Sequence, residues 1–199
     1  KGTDPFLAPS SGWGHLLQCG RVKGVPAMSS VDVDIDQLLR EMAAALQTLL
    51  RDRGPDATMV GIHTGGVWVA RRLHQLLDLQ SPLGTLDISF YRDDYTRVGI
   101  NPQVKPSRLP TPLDDRHIVL VDDVLYTGRT VRAALNEIFD YGRPATVALA
   151  VLVERGGREL PIQADVAGMH LDLMPNQQVK LQGPRPLHLA VTDVPPPAP

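Results

Sequence analysis

The chain has 199 residues, 43% of them hydrophobic and 21% charged, and a formal net charge of −2. That is room for one domain with a buried core, and it excludes the strongly basic footprint of a chain-wide nucleic-acid binder. One cysteine, Cys19, excludes an internal disulfide; no apolar run nears the roughly 20 residues that span a bilayer, and no apolar secretory segment opens the sequence, so a cytoplasmic protein is expected.

Residues 1–28 are rich in Gly, Pro and Ser and lack sustained periodicity. They are expected to be a leader or non-native segment, disordered and outside the fold. A domain over residues 29–194 follows. The tail Pro195-Pro196-Pro197-Ala198-Pro199 can neither pair in a sheet nor continue a helix.

Within the domain, Leu38, Leu39, Met42, Ala45, Leu46, Leu49 and Leu50 recur at helical spacing, with Gly54-Pro55 as a stop. Thr58 to His63 reads as a short strand ending at Thr64-Gly65-Gly66, Val67 to Leu79 as a helix, and Leu83 to Phe90 as a second strand. Trp68 and Leu73 fall on the apolar face of that helix, and Arg71-Arg72 on a solvated one. A long polar stretch from Tyr91 to Arg116 carries Pro102, Pro106, Pro110 and Pro112; loops of that length are lids or linkers, and a lid is expected here.

His117 to Val121 is a continuous apolar run of the kind buried on both faces of a parallel sheet. Thr130 to Tyr141 makes a helix closed by Gly142 and Pro144, and Thr146 to Val153 is another buried strand. Beyond Gly168 the pattern weakens to short strands near Val179–Gln182 and Leu187–Val191. Strands alternating with helices of this length predict an α/β domain with a mostly parallel sheet.

The chemistry concentrates in Asp122-Asp123-Val124-Leu125-Tyr126-Thr127-Gly128-Arg129-Thr130. A buried strand delivers two carboxylates to its C-terminal end, where ligands bind in open parallel sheets. The loop that follows offers backbone N–H groups, the hydroxyls of Thr127 and Thr130, and a helix N-terminus, which together suit a phosphate. The carboxylates repel a phosphate but accept hydrogen bonds from a vicinal diol. Phosphate on one side and diol on the other describe a ribose 5-phosphate. A Walker-B-like metal site or a simple helix cap would also use an Asp-Asp pair, but no Gly-x-x-x-x-Gly-Lys-Ser/Thr segment accompanies it. His63 could face this site, although a histidine at a strand end is more often simply bonded to backbone. His74, His117, His170 and His188 show no metal-ligand spacing.

This segment resembles the binding motif for 5-phosphoribosyl-1-pyrophosphate (PRPP) of type I phosphoribosyltransferases. Within them it is similar to the PyrR family, pyrimidine operon regulators that are also uracil phosphoribosyltransferases. Leu86-Asp87-Ile88-Ser89-Phe90-Tyr91-Arg92-Asp93-Asp94, Tyr141-Gly142-Arg143-Pro144 and Arg158-Glu159-Leu160-Pro161-Ile162 extend the likeness, in family order, over residues 35–168. The resemblance implies a type I phosphoribosyltransferase fold, a mostly parallel central sheet flanked by helices with a mobile lid loop.

It also implies roles. Asp122 and Asp123 bind the ribose hydroxyls, and Tyr126, Thr127, Gly128, Arg129 and Thr130 cradle the 5′-phosphate. Thr64 and Gly65 hold the pyrophosphate, assisted by Arg92, Lys105 and Arg108 of the lid. Glu154 and Arg155 lie near the base and the metal. The family usually carries an arginine where Gly65 or Gly66 stands, so one pyrophosphate contact is missing or supplied elsewhere. Tyr126 replaces a carboxylate that serves purine bases in several relatives, which favours a pyrimidine. Mg²⁺ enters on the pyrophosphate with no direct protein ligand. The expected substrates are PRPP and uracil, giving UMP, in a homodimer or higher homo-oligomer. RNA-binding members grip a leader mRNA hairpin with basic residues where this chain has Gly157, Gln163 and Met169, so that partnership is weakened. A degenerate enzyme that senses UMP or PRPP without turnover is a third reading.

Overall fold

In the computed structural model, which describes residues 17–18, 21–23, 29–51, 57–88, 107–110 and 112–194, the chain runs β1 (Leu17–Gln18), β2 (Arg21–Lys23), β3 (Ser29–Val31), α1 (Ile35–Leu50), β4 (Thr58–Ile62), α2 (Gly65–Leu76), β5 (Gly84–Leu86), β6 (His117–Leu125), α3 (Arg129–Tyr141), β7 (Thr146–Arg155), β8 (Val166–Asp172), β9 (Gln177–Gln182) and β10 (His188–Asp193). Helix α1 starts where the Asp34 carboxylate accepts the Gln37 N–H at 3.0 Å, an N-cap that satisfies one of the orphan donors of the first turn. Its buried stripe of Ile35, Leu38, Leu39, Met42, Leu46 and Leu50 follows the 3.6-residue period.

The main sheet is parallel throughout, in the order β8-β7-β6-β4-β5, with β1 and β2 added along the outer edge of β8. One face packs on α1 and α2 through Leu39, Met42, Leu46 and Leu73 against Val119, Val121 and Leu152. The other packs on α3 through Val131, Ala134 and Ile138 against Leu120 and Val151. Sealing both faces is what makes β6 and β7 read as unbroken apolar runs. A second, antiparallel sheet in the order β3-β10-β9 joins the α1 side through Val179, Leu181, Leu189 and Val191. Among the described residues no helix is long and apolar enough to cross a membrane.

Several expectations change. Leu17–Gln18 and Arg21–Lys23, in the stretch expected to lie outside the fold, pair with β8 as short parallel strands; the rest of residues 1–28, and the tail 195–199, lie outside the described residues. Strand β8 itself was hidden by Gly168, His170 and Asp172, which interrupt its apolar run. The helix expected over Val67–Leu79 begins earlier, at Gly65. Strand β5 ends at Leu86, shorter than the expected run to Phe90. Trp68 is half-buried and Leu73 fully buried, while Arg71 and Arg72 are exposed, as their positions predict. Arg72 pairs with Asp36 at 2.6 Å.

Candidate functional site

The acidic pair does not sit at the very end of its strand. Strand β6 continues to Leu125, paired with β7 as far as Leu125 opposite Glu154. On its other side, however, pairing with β4 stops at Gly61 opposite Val121. Asp122 and Asp123 therefore emerge where the β4 side has already turned away through His63 and Thr64 into α2. Asp122 is buried, with 3% of its surface exposed, and its Oδ1 accepts the Asp123 N–H at 2.9 Å. Asp123 is half-buried. The two carboxylates are thus not equivalent: Asp122 braces the strand backbone, and Asp123 is the more accessible acceptor.

The glycines at the start of α2 are what bring the second loop here. A Cβ on Gly65 would fall inside the Asp123 carboxylate, and one on Gly66 would lie 2.6 Å from the Val121 carbonyl oxygen and 2.9 Å from the Asp122 Cα. Only bare backbone packs this closely. A side chain at position 65 would displace the Asp123 carboxylate, and one at position 66 would press on the β6 backbone itself. Thr64, the residue before them, is exposed and its side chain makes no cap to α2.

On the other side of the acidic pair, residues 126–128 bend into α3. Gly128 caps that helix with φ 91°, the left-handed region that glycine enters without strain. The Thr127 hydroxyl accepts the Arg129 N–H at 3.3 Å. Tyr126 and Arg129 are exposed, Thr127 and Thr130 half-buried. Backbone N–H groups at a helix start, beside half-buried hydroxyls and one turn from two carboxylates, can hold a phosphate ester next to a diol.

Glu154 and Arg155 end β7, each 9% exposed. The Arg155 guanidinium lies over the Tyr126 ring, 3.9 Å from its centroid. Glu154 faces His170 of β8 at 4.0 Å, and His170 faces Asp172 at 3.4 Å; this polar chain was not anticipated, because only the β7–β8 register brings it together. Arg108 is placed differently from the other predicted residues. Its backbone pairs with Thr85 of edge strand β5 through two 2.8 Å hydrogen bonds, on the far side of β4 from the acidic pair. Arg92 and Lys105, with most of the expected lid, lie outside the described residues. Among the described residues no three His, Cys, Asp or Glu side chains converge to hold a metal ion.

The chain is similar to several known proteins. The family model described as "Phosphoribosyl transferase domain" matches residues 33–184. Among curated proteins the chain is 62% identical over 169 residues to the "Bifunctional protein PyrR" of Nitrosococcus oceani, covering 83% of this chain and 96% of that one. It is 57% identical over 154 residues to the protein of the same name from Pseudomonas aeruginosa, covering 77% and 91%. Among solved structures, a purine phosphoribosyltransferase from Pyrococcus horikoshii superposes with a TM-score of 0.52 at 26% identity, over 70% of this chain and 89% of that one. A hypoxanthine phosphoribosyltransferase from Trypanosoma cruzi superposes with a TM-score of 0.62 at 21% identity, over 85% and 95%; at that identity the likeness concerns the fold.

Proposed function

From the fact that this chain belongs to the phosphoribosyltransferase family and, within it, to the PyrR proteins, we infer that it is a uracil phosphoribosyltransferase that converts uracil and PRPP to UMP and pyrophosphate. The observation that carries this reading is the meeting of three backbone features at the C-terminal ends of the central strands β4 and β6: the acidic pair of β6, the loop into α3, and the glycine turn into α2. A site for a ribose 5-phosphate bearing a leaving group needs those three parts.

In the reaction the C1′–N1 bond to uracil forms as the C1′–O bond to pyrophosphate breaks, through a transition state with oxocarbenium character. The N1 proton is lost to solvent or to a pyrophosphate oxygen, and among the described residues no side chain near the site stands out as its acceptor. Asp123, and Asp122 behind it, hold the ribose diol. The N–H groups of residues 127–130 hold the 5′-phosphate, and Thr64 and Gly65 meet the pyrophosphate. Catalysis is then chiefly positioning and electrostatic neutralisation. The donor set fits magnesium carried on the substrate: two hard carboxylates lie near the pyrophosphate side, too few for a protein cage, and this ion takes most of its ligands from phosphates and water. Bound there, it would supply charge neutralisation for the departing pyrophosphate.

A second activity, UMP-responsive binding of leader mRNA, is the alternative reading, and the first word of the relatives' shared name, "Bifunctional", favours keeping it. The cations near the β7–β8 loop are largely engaged. Arg129 pairs with Glu159 at 2.8 Å and Arg158 donates to the Ile162 carbonyl at 3.2 Å. With Gly157, Gln163 and Met169 adding no charge, few cations are left there to meet RNA phosphates. The exposed Phe139 and Tyr141 of α3 support association of copies into a homo-oligomer.

The test is a radiolabelled-base assay with PRPP and Mg²⁺, offering uracil, orotate, hypoxanthine and adenine in turn. Product from uracil alone is expected. Nucleotide formed from hypoxanthine or adenine in preference to uracil would refute the pyrimidine assignment.

A further inference from the structure

The loop between β7 and β8 grips the loop between β6 and α3 at four points. The Thr127 carbonyl accepts the N–H groups of both Glu159 and Leu160, each at 3.1 Å. The Arg129 side chain bonds to the Glu159 carboxylate at 2.9 Å. A Cβ on Gly128 would lie 3.3 Å from the Leu160 side chain. Finally, Tyr126 has the Arg155 guanidinium over its ring and the Gly157 backbone against its Cε2 edge.

That last contact is the unusual one. Arg155 is nine-tenths buried, yet its Nε has no hydrogen-bond partner. A buried, incompletely bonded guanidinium is costly, and the ring face 3.9 Å away is the compensation visible in the structure. Gly157 adopts φ 111°, and a Cβ there would fall on the Tyr126 ring. The backbone has thus been cleared for the ring, and the cation placed over it. Tyr126 itself remains 41% exposed, at the first position of the phosphate loop.

We infer that Arg155 is a positioning residue for the phosphate cradle, acting through the Tyr126 ring and not by touching substrate. This rests on the reading of residues 126–130 as the 5′-phosphate site. The physical reason is preorganisation. The loop's N–H groups bind phosphate well only if they already point at it, and a ring held by both Arg155 and the Gly157 backbone fixes where the loop begins.

A thermodynamic cycle tests this on the full chain. Ribose 5-phosphate is titrated calorimetrically into the unmutated protein, Arg155→Met, Tyr126→Leu and the double variant. Arg155→Met is expected to weaken binding by about tenfold, with Tyr126→Leu alike and the double variant no weaker than the worse single one. Arg155→Lys, which keeps a cation over the ring, should recover part of the loss. Gly157→Ala breaks the same stack without altering Arg155, and is expected to match Arg155→Met even if that variant folds poorly. Effects that multiply in the double variant, or Arg155→Met and Gly157→Ala binding ribose 5-phosphate normally, would overturn the inference. Failure of the unmutated protein to bind ribose 5-phosphate would instead reject the phosphate-site reading, and this inference with it.

Discussion

Asp123→Asn is expected to weaken PRPP binding by about tenfold to a hundredfold, and Asp122→Asn combined with it by about a hundredfold to ten-thousandfold. A hydrogen bond to a charged acceptor is worth about 1.5–3 kcal/mol, and each 1.4 kcal/mol is a factor of ten. Asparagine preserves shape and one carbonyl acceptor but removes the charge, so the loss reports the charge-assisted part of the diol contact. The two single variants should differ in character. Asp123 is half-buried, and its loss should leave the thermal midpoint unchanged. Asp122 is buried and its Oδ1 holds the Asp123 N–H; its variant should also show a modest loss of stability. Calorimetric titration with PRPP and Mg²⁺, alongside thermal unfolding, checks both. Full PRPP affinity in the double variant would remove the diol assignment.

Gly66→Ala is expected to lower the thermal midpoint by roughly 6–12 °C and to impair PRPP binding as well. Its Cβ would meet the Val121 carbonyl oxygen at 2.6 Å and the Asp122 Cα at 2.9 Å. Both are backbone atoms in the middle of a buried sheet, so neither can rotate away. Overpacking of this kind costs about 3 kcal/mol, and in a protein of this size each kcal/mol moves the midpoint by about 2–4 °C. Because one displaced atom is the Asp122 Cα and the other belongs to the residue just before it, stability and ligand affinity should fall together. Gly156→Ala is the control: a Cβ there meets nothing within 4 Å, and its effect should stay within about 0.5 kcal/mol. Unfolding curves of the two variants, measured side by side, decide the matter.

The sequence made some parts of this site readable and concealed others, for reasons that lie in particular residues. Strand β6 was legible because Ile118–Val121 is buried on both faces, and α3 because its apolar spacing and Gly142 mark its length. The loop into α3 was legible because its small residues and hydroxyls are contiguous. Strand β8 was not, since its identity depends on a partner: Val151 opposite Ala167 and Val153 opposite Met169. The extent of β6 was underestimated because Asp122 and Asp123 look like a terminus, while the β7 side keeps the ladder running to Leu125. The value of Gly65 and Gly66 is likewise invisible locally; it arises only when α2 is laid against β6. The bridge that ties the Arg108 backbone to Thr85 at the sheet edge was not legible either, because it joins segments more than 20 residues apart. Contacts between distant segments, such as Arg155 on Tyr126, leave no trace in local spacing.

A single PRPP site requires the β6 acidic pair, the loop into α3 and the glycine turn of α2 to act together. Hydrogen–deuterium exchange of the protein with and without PRPP and Mg²⁺ tests this most directly, because it reports backbone N–H groups without presupposing turnover. Protection is expected in peptides covering Thr64–Gly66 and Asp123–Thr130 together, since those N–H groups would bind phosphate oxygens. The cleft formed by Val33–Asp36, Arg72 and Pro184–Leu187 should be unchanged. Protection confined to that cleft, or none at residues 123–130 at saturating PRPP, would contradict the account.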